Sequence, residues 1–423
     1  MSATELDCDV AIVGGGLAGS VLAHALAQTP LSIVLVEARD PTGLKQPSFD
    51  DRATALANGS QRILESLGLW AGLRGAAEPI RSIHISERGR FGAARILASE
   101  EDVPSLGYLV ENRALGVALW AALKEAPRLR CLAPAKLESL SQTGEHRVVE
   151  VEAGEGRYRI RARLLVAADG VHSRVREELG IQARANDYGQ SAIILNCLTE
   201  VPHAGRAYER FTSGGALACL PLSQDRVAFV WTLAQRAAER ILELDEARFR
   251  DALQDVFGYR LGRLLNVGRR SAYPLLRVHS ATHVAARTVL IGSAAINLHP
   301  VAGQGFNLAL RDVAALAEVL SDTLELPGVS ADPGSAEALQ RYRAWRSGDQ
   351  RRVAAFTHGL IRFFGVESPP VKLSRGIGLM LFDLLPGAKT ALARQAMGLA
   401  GTVPRLARGL PLSPPRRADR ARG

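Results

Sequence analysis

Near the N-terminus an apolar run, Cys8 to Val13, gives way to three consecutive glycines and then to "LAGSVLAHALAQ", whose apolar residues recur at helical spacing. A second apolar run, "LSIVLVE", follows and ends on Glu37. Strand, helix and strand within the first 37 residues make a βαβ unit, which implies a parallel sheet covered by helices. The glycines fall as Gly14-x-Gly16-x-x-Gly19 at the strand-to-helix turn. Gly14 permits the tight turn, Gly16 lets the backbone approach a pyrophosphate, and Gly19 lets the helix pack closely on the strand. The free N–H groups and positive dipole end of that helix suit phosphates. Glu37 stands at the distance expected of an acid that bonds ribose hydroxyls, so the unit predicts an adenine dinucleotide. An acid there disfavours a 2′-phosphate, which leaves FAD and NAD, and the unit alone does not separate them.

Further along, "RATALANGSQRILESLGLW" from Arg52 reads as a loop and then a helix with Ile63, Leu64, Leu67 and Leu69 inward. The segment from Arg113 reads as a covering helix that ends before Pro127. Between Val148 and Ile181 the pattern is strand, turn, strand and helix, the second strand stopping at Asp169 and the helix capped by Ser173. From about Asp187 to Tyr273 alternating β-rich segments predict a mainly antiparallel second domain inserted into the first. The α/β pattern then returns with "RTVLIGSAAINLHPVAGQGFNLALRD", where a helix from Gln304 places Phe306, Leu310, Val313, Leu316 and Leu320 on one face. The expected division is a discontinuous dinucleotide domain (1–75, 100–186 and 280–330), a substrate domain (76–99 and 187–279), a C-terminal helical region (335–400) and a basic tail (401–423).

Composition narrows the partners. The chain carries a net charge of +9, much of it in the tail, where Arg405, Arg408, Arg416, Arg417, Arg420 and Arg422 face a single Asp419. Without interleaved aromatics or a nucleic-acid motif, such a tail points to solvent or lipid headgroups and away from nucleic acid. Apolar residues beside Arg362, Arg375, Lys389 and Arg394 allow either an amphipathic membrane-surface element or helices packed on the body. The four cysteines lack metal-ligand spacing and read as reduced core thiols, and no metal site is indicated. No apolar run is long enough to span a membrane, and the N-terminus lacks the features of a secretory signal. A cytoplasmic protein is expected, with a peripheral contact to the inner membrane left open.

Three stretches in order, "GGGLAG", "AADGVHSRVR" and "GSAAINLHPVAGQGFNLALRD", resemble the FAD-dependent aromatic hydroxylases, the class A flavin monooxygenases of the para-hydroxybenzoate hydroxylase fold. The resemblance extends over roughly residues 6 to 350 and is greatest to the ubiquinone-biosynthesis hydroxylases, in particular their octaprenyl-methoxyphenol branch. It implies a Rossmann-type FAD domain, an inserted antiparallel substrate domain, and hydroxylation of a polyprenylated phenol with NAD(P)H and O2 through a flavin hydroperoxide. It further implies that Gly14, Gly16, Gly19 and Glu37 hold the ADP half of FAD, and that Arg52 and Arg113 approach its phosphates and ribityl chain. Asp169 would lie near the pyrophosphate and the route of the nicotinamide cofactor. Ser293 takes the place of the family's usual Asp against the ribityl chain, and Asn297 that of a His. Pro300, Gly303, Gln304 and Gly305 would open a helix onto the flavin ring, Pro300 shaping the approach. His299 reads as a loop-shaping residue, and no catalytic side chain is singled out. Two other functions fit the same residues at this stage: an FAD-dependent oxidase, reductase or cyclase, and an FAD-holding subunit of a biosynthetic complex.

Overall fold

The computed structural model describes residues 3–41, 52–154, 156–299, 303–325, 331–365 and 385–412. Pro300 and the arginines beyond residue 412 lie outside the described residues. Elements run β1 (Thr4–Val13), α1 (Leu17–Ala27), β2 (Ile33–Val36), β3 (Ala53–Ala57), α2 (Asn58–Ser66), α3 (Trp70–Leu73), β4 (Ala77–Ile80), β5 (Ser82–Glu87), β6 (Ala93–Leu97) and β7 (Gly107–Glu111). Next come α4 (Asn112–Lys124), β8 (Leu129–Leu132), β9 (Lys136–Thr143), β10 (His146–Ala153), β11 (Gly156–Ala167), α5 (Arg174–Glu178), β12 (Ala183–Thr199), β13 (Arg206–Thr212), β14 (Gly215–Pro221) and β15 (Arg226–Ala234). The chain continues through α6 (Gln235–Leu242), α7 (Glu246–Phe257), β16 (Leu264–Val267), β17 (Ser271–Ser280), β18 (Val284–Ala285), β19 (Thr288–Leu290), β20 (Ile296–Asn297), α8 (Gln304–Glu325), α9 (Ala336–Gly365) and α10 (Pro386–Ala396).

The first sheet has the order β18-β19-β11-β1-β2-β8, with β1 parallel to both β11 and β2, and β11 parallel to β19. Val10 to Val13 of β1 are buried on both faces, as a strand between two layers must be. Pleating divides them: Val10 and Ile12 pack with Leu22, Leu26, Leu119, Leu310 and Leu316 of the helical layer, while Ala11 and Val13 pack with Val149 and Val151 beneath. That lower layer is the antiparallel ribbon of β9 and β10.

The second sheet runs β20-β17-β12-β15-β14-β13-β5-β6 and is antiparallel except between β13 and β5. One face carries Ile193, Leu195, Phe229 and Trp231, which bury Phe249, Leu253 and Phe257 of α7. On its other face Leu220 and Ala228 pack with Leu109, Ala53 and Ala55 of a small third sheet of β3, β7 and β4.

Two readings of the sequence need correction. The stretch after Arg52 opens with strand β3, not a loop, because Ala53 to Ala57 pair with Glu111 to Gly107 of β7. The first part of the tail is not solvated: Leu406, Ala407 and Leu412 enter the main core, and Arg405 pairs with Glu318 at 3.5 Å and Asp322 at 2.7 Å on α8. Apolar residues interleaved among the arginines give that segment a face to bury.

Candidate active site

β1, β11 and β19 end together. Val13 is in register with Ala167, and Ala167 with Leu290, so the three motifs leave the sheet side by side at its carboxyl edge. Gly14 follows β1 with φ +104°, and a Cβ there would stand 2.4 Å from the Ala168 carbonyl oxygen. A Cβ on Gly19 would meet the Gly14 carbonyl at 1.9 Å, so helix and turn touch without room for a side chain. No side chain caps the start of α1 at Gly16, which leaves its first-turn N–H groups for a ligand.

The second and third motifs are locked together by Arg176. Its guanidinium donates to the Val171 carbonyl at 2.9 Å and to the Ala294 carbonyl at 3.2 Å. Ser173 caps α5 as expected, accepting from the Arg176 N–H at 3.0 Å. Asp169 accepts from the Val175 N–H at 3.1 Å. Burial raises its pKa, against the opposing bonds from Ser173 and Val175. Its other oxygen is buried and has no hydrogen-bond partner among the described residues.

Two clefts meet at this edge. One, of about 370 Å³, is lined by Gly14, Gly16, Glu37, Arg39, Asp169, Gly170 and Arg174, with Ala135 to Leu137 opposite. Glu37 accepts from the Gly15 N–H at 2.6 Å and from the Arg39 N–H at 2.9 Å, so the acid also clamps the glycine turn. The other cleft, of about 820 Å³, has walls from Gly16 to Ala18, Arg52 to Ala55, Gly292, Ser293, Gly303, Gly305 and Phe306 on one side. The inner face of the second sheet forms the opposite wall, with Phe356 and Leu392 at its margin. Gly16, Ala168 and Gly170 line both clefts, which makes them one continuous path past the N-terminus of α1.

The remaining predicted residues fall as follows. Arg52 lines the large cleft and stacks on Tyr273, 4.7 Å from the ring centroid. Arg113 is exposed on the first turn of α4 and lines neither cleft; its neighbour Asn112 lines the large one. Ser293 sits half-buried in a 3-10 turn, Gly292–Ala294, on the wall of the large cleft. Asn297 donates to the Leu276 carbonyl at 2.6 Å and so ties this turn to β17. Gly303 takes φ +59° at the start of α8, Gln304 is buried, and Gly305 faces the large cleft with no atom within 4 Å of where a Cβ would stand. His299 packs edge-on against Tyr188 at 5.1 Å, and burial lowers its pKa to about 4.

Sequence reasoning missed Asn307. This buried side chain accepts from the Ala57 N–H at 2.8 Å and the Ser60 hydroxyl at 2.7 Å, and donates to the carbonyls of Ala55 at 2.8 Å and Gly303 at 2.7 Å. It uses its full hydrogen-bonding capacity to fix the start of α8 against β3. A polar residue one turn inside an otherwise apolar helix face was the available signal.

The cleft fits an extended dinucleotide carrying a flat ring. An uncapped helix N-terminus stands at its middle, Gly170 and Gly305 leave open space along it, and an acid lies near one end. A solved structure of p-nitrophenol 4-monooxygenase from Pseudomonas putida superposes with a TM-score of 0.76 at 18% identity, covering 94% of this chain and 99% of that one. The fold is therefore para-hydroxybenzoate hydroxylase-like.

Residues 7–356 match the family described as FAD binding domain. A ubiquinone hydroxylase of Rhodospirillum rubrum is 38% identical over 407 residues, 96% of this chain and 93% of that protein. The 3-demethoxyubiquinol 3-hydroxylase of Escherichia coli is 31% identical, over 94% of this chain and its own full length. The chain belongs to the FAD-dependent monooxygenases, in the family of the ubiquinone-biosynthesis hydroxylases.

Proposed function

We propose that this protein hydroxylates the ring of a polyprenylated phenol, a ubiquinone precursor, using FAD, NAD(P)H and O2. The observation that carries the reading is the continuous path past Gly16, Ala168 and Gly170 from a narrow cleft with an acid wall to a wide one with mainly apolar walls. Gly14, Gly16, Gly19 and Glu37 would hold the ADP half of the cofactor, with Asp169 and Arg52 along its course and Ser293 beside the ribityl chain. Bound FAD would supply the redox chemistry, accepting reducing equivalents from NAD(P)H and activating O2.

The chain's own residues bind, orient and exclude water. The N–H groups opening α1 offer partial positive charge to phosphates, and those opening α8 offer it to charge that gathers on the ring. Neither group titrates, so this stabilisation holds across pH. Ile83, Ile85, Ile96, Phe211 and Leu220 make most of the far wall apolar, which suits an aromatic ring with a prenyl tail and limits water near the reacting atoms.

The proposal includes peripheral contact with the membrane that dissolves such a substrate, and with partner enzymes of the pathway. The described part of the C-terminal region, α10, packs on the body: Leu392 and Ala396 wall the cavity, and Ala393 packs with Ile96 and Leu106. No described helix is long and apolar enough to cross a membrane.

The test is the FAD-loaded protein incubated with NADH or NADPH, ¹⁸O2 and an ortho-prenylated phenol. Faster NAD(P)H oxidation in the presence of the phenol, with one labelled oxygen in the product, is expected. Oxidation indifferent to the phenol, or product without labelled oxygen, would rule the hydroxylase out and favour an oxidase or reductase.

A further inference from the structure

The cavity-facing row of the second sheet crosses five strand pairings in register: Ala94, Ile85, Glu209, Ala218, Val230 and Ile194. All six line the large cavity, and one of them is a carboxylic acid. Ala207 and Phe211, two residues to either side of Glu209 on β13, line it as well. The adjacent cation cannot serve Glu209, because Arg210 turns to the other face and donates to the Val256 carbonyl at 2.7 Å. Among the described residues no hydrogen bond or ion pair engages the Glu209 carboxyl.

The rest of the cavity offers it little. Among the described residues, the other charged residue on the walls is Arg52, stacked on Tyr273 among the residues placed toward the cofactor. The facing residues of β5 and β14 are Ile85 and Ala218, and the helical margin contributes Phe356, Leu392 and Ala396. Burial, with no cation to offset it, pushes the Glu209 carboxyl up to about 7. Glu209 is half-buried with its carboxyl open to the cavity, so closing the cavity over it without a partner would be unfavourable, and an alanine or valine would complete the row without that cost. The cost is recovered when a ligand brings a hydrogen-bond donor into the cavity.

We propose that Glu209 reads the substrate's ring hydroxyl: its carboxylate accepts the phenol O–H, so that the cavity takes an uncharged ring with a free hydroxyl and turns away a ring bearing a carboxylate. This rests on the reading of the large cavity as a hydroxylase substrate site, and it narrows that substrate to phenols whose ring bears no carboxylate. The two small residues flanking Glu209 in the row, Ala218 beside it and Ala94 beyond Ile85, leave room for a ring to lie over the carboxyl.

The test uses FAD-loaded wild type, Glu209→Gln and Glu209→Leu, with three probes: ortho-propylphenol, its O-methyl ether and ortho-propylbenzoate. Affinity is read from perturbation of the bound flavin's absorbance and, independently, by calorimetry. Wild type is expected to prefer the phenol over the ether by about ten-fold, the size of a charge-assisted hydrogen bond, and both variants to lose most of that preference. The benzoate, weak on wild type, should gain on both variants. Phenol affinity should rise in wild type as pH increases through about 7 and the carboxylate forms, and should stay flat in Glu209→Gln. A preference for phenol over ether that is equal in all three proteins would overturn the role of Glu209 while leaving the hydroxylase intact. Wild type that binds none of the phenol would overturn both.

Discussion

Single glycines in this protein answer to two different demands, and substitution separates them. At Gly19 the demand is internal, since any Cβ would stand 1.9 Å from the Gly14 carbonyl oxygen, which is backbone and cannot yield. Gly305 faces open space, so its constraint comes from what occupies the large cleft. Gly19→Ala should therefore lower the stability of the apoprotein by several kcal/mol or prevent folding, as overpacking against backbone does. Gly305→Ala should leave the apoprotein's melting point nearly unchanged, yet reduce flavin retention at least ten-fold by placing a methyl group against the ring. Thermal melting of the two apoproteins and flavin content after gel filtration check this; full flavin retention by Gly305→Ala would detach α8 from the cofactor. The glycine fingerprint was readable because its spacing reflects local geometry. The roles of Arg176 and Asn307 were not, because their partners, Ala294 for one and Ala57 for the other, lie 118 and 250 residues away.

At the scale of elements, the cleft depends on α8 being held in one place. Its apolar face was plain from the spacing of Leu310, Val313, Leu316 and Leu320, all of them buried. Its attachment to α9 was not, because the residues concerned are charged and charged residues ordinarily read as a solvated face. Arg346, 2% exposed, donates to Asp312 at 2.6 Å and to Asp349 at 2.5 Å, Arg311 donates to Asp349 at 3.0 Å, and Gln350 donates to Asp312 at 3.0 Å. Burial opposes the charge on Asp349, but Arg311 and Arg346 outweigh it and hold the carboxyl below its ordinary range. Its contribution is therefore present above the ordinary carboxylate pKa and is lost as pH falls through the depressed value. Arg346→Leu should destabilise the protein by about 3 kcal/mol at neutral pH, because it leaves the buried Asp312 with no paired cation among the described residues and Asp349 with Arg311 as its close one. The variant's stability deficit should shrink on acidification, as the wild-type protein protonates Asp349 and loses the contribution of its charge. Denaturant titrations at several pH values check both parts, and a deficit independent of pH would mean that packing, not charge, joins the two helices.

Over the whole molecule, the proposed cofactor path draws on residues almost 300 positions apart, from Gly14 to Gly305, and on segments that the inserted sheet interrupts. The α/β frame could be anticipated from the order of strands and helices. That residues 76–99 belong with the inserted domain was also expected; what was not legible is how they join it, β5 pairing in parallel with β13, since a parallel partner more than 100 residues distant leaves no local pattern. A ligand that bridges such segments stabilises them only when all are folded, so its effect is global. FAD at one hundred times its Kd should add about 2.7 kcal/mol to the stability of the folded state. For a chain of 423 residues that corresponds to a rise of about 3 °C in melting point, growing with the logarithm of FAD concentration. NAD, which lacks the flavin ring, should engage only the narrow cleft with Glu37 and give a smaller rise at equal concentration. Melting curves of the flavin-stripped protein across a series of FAD and NAD concentrations decide the matter: an equal response to both would place the cofactor's affinity in the ADP half alone and leave the large cleft without a flavin.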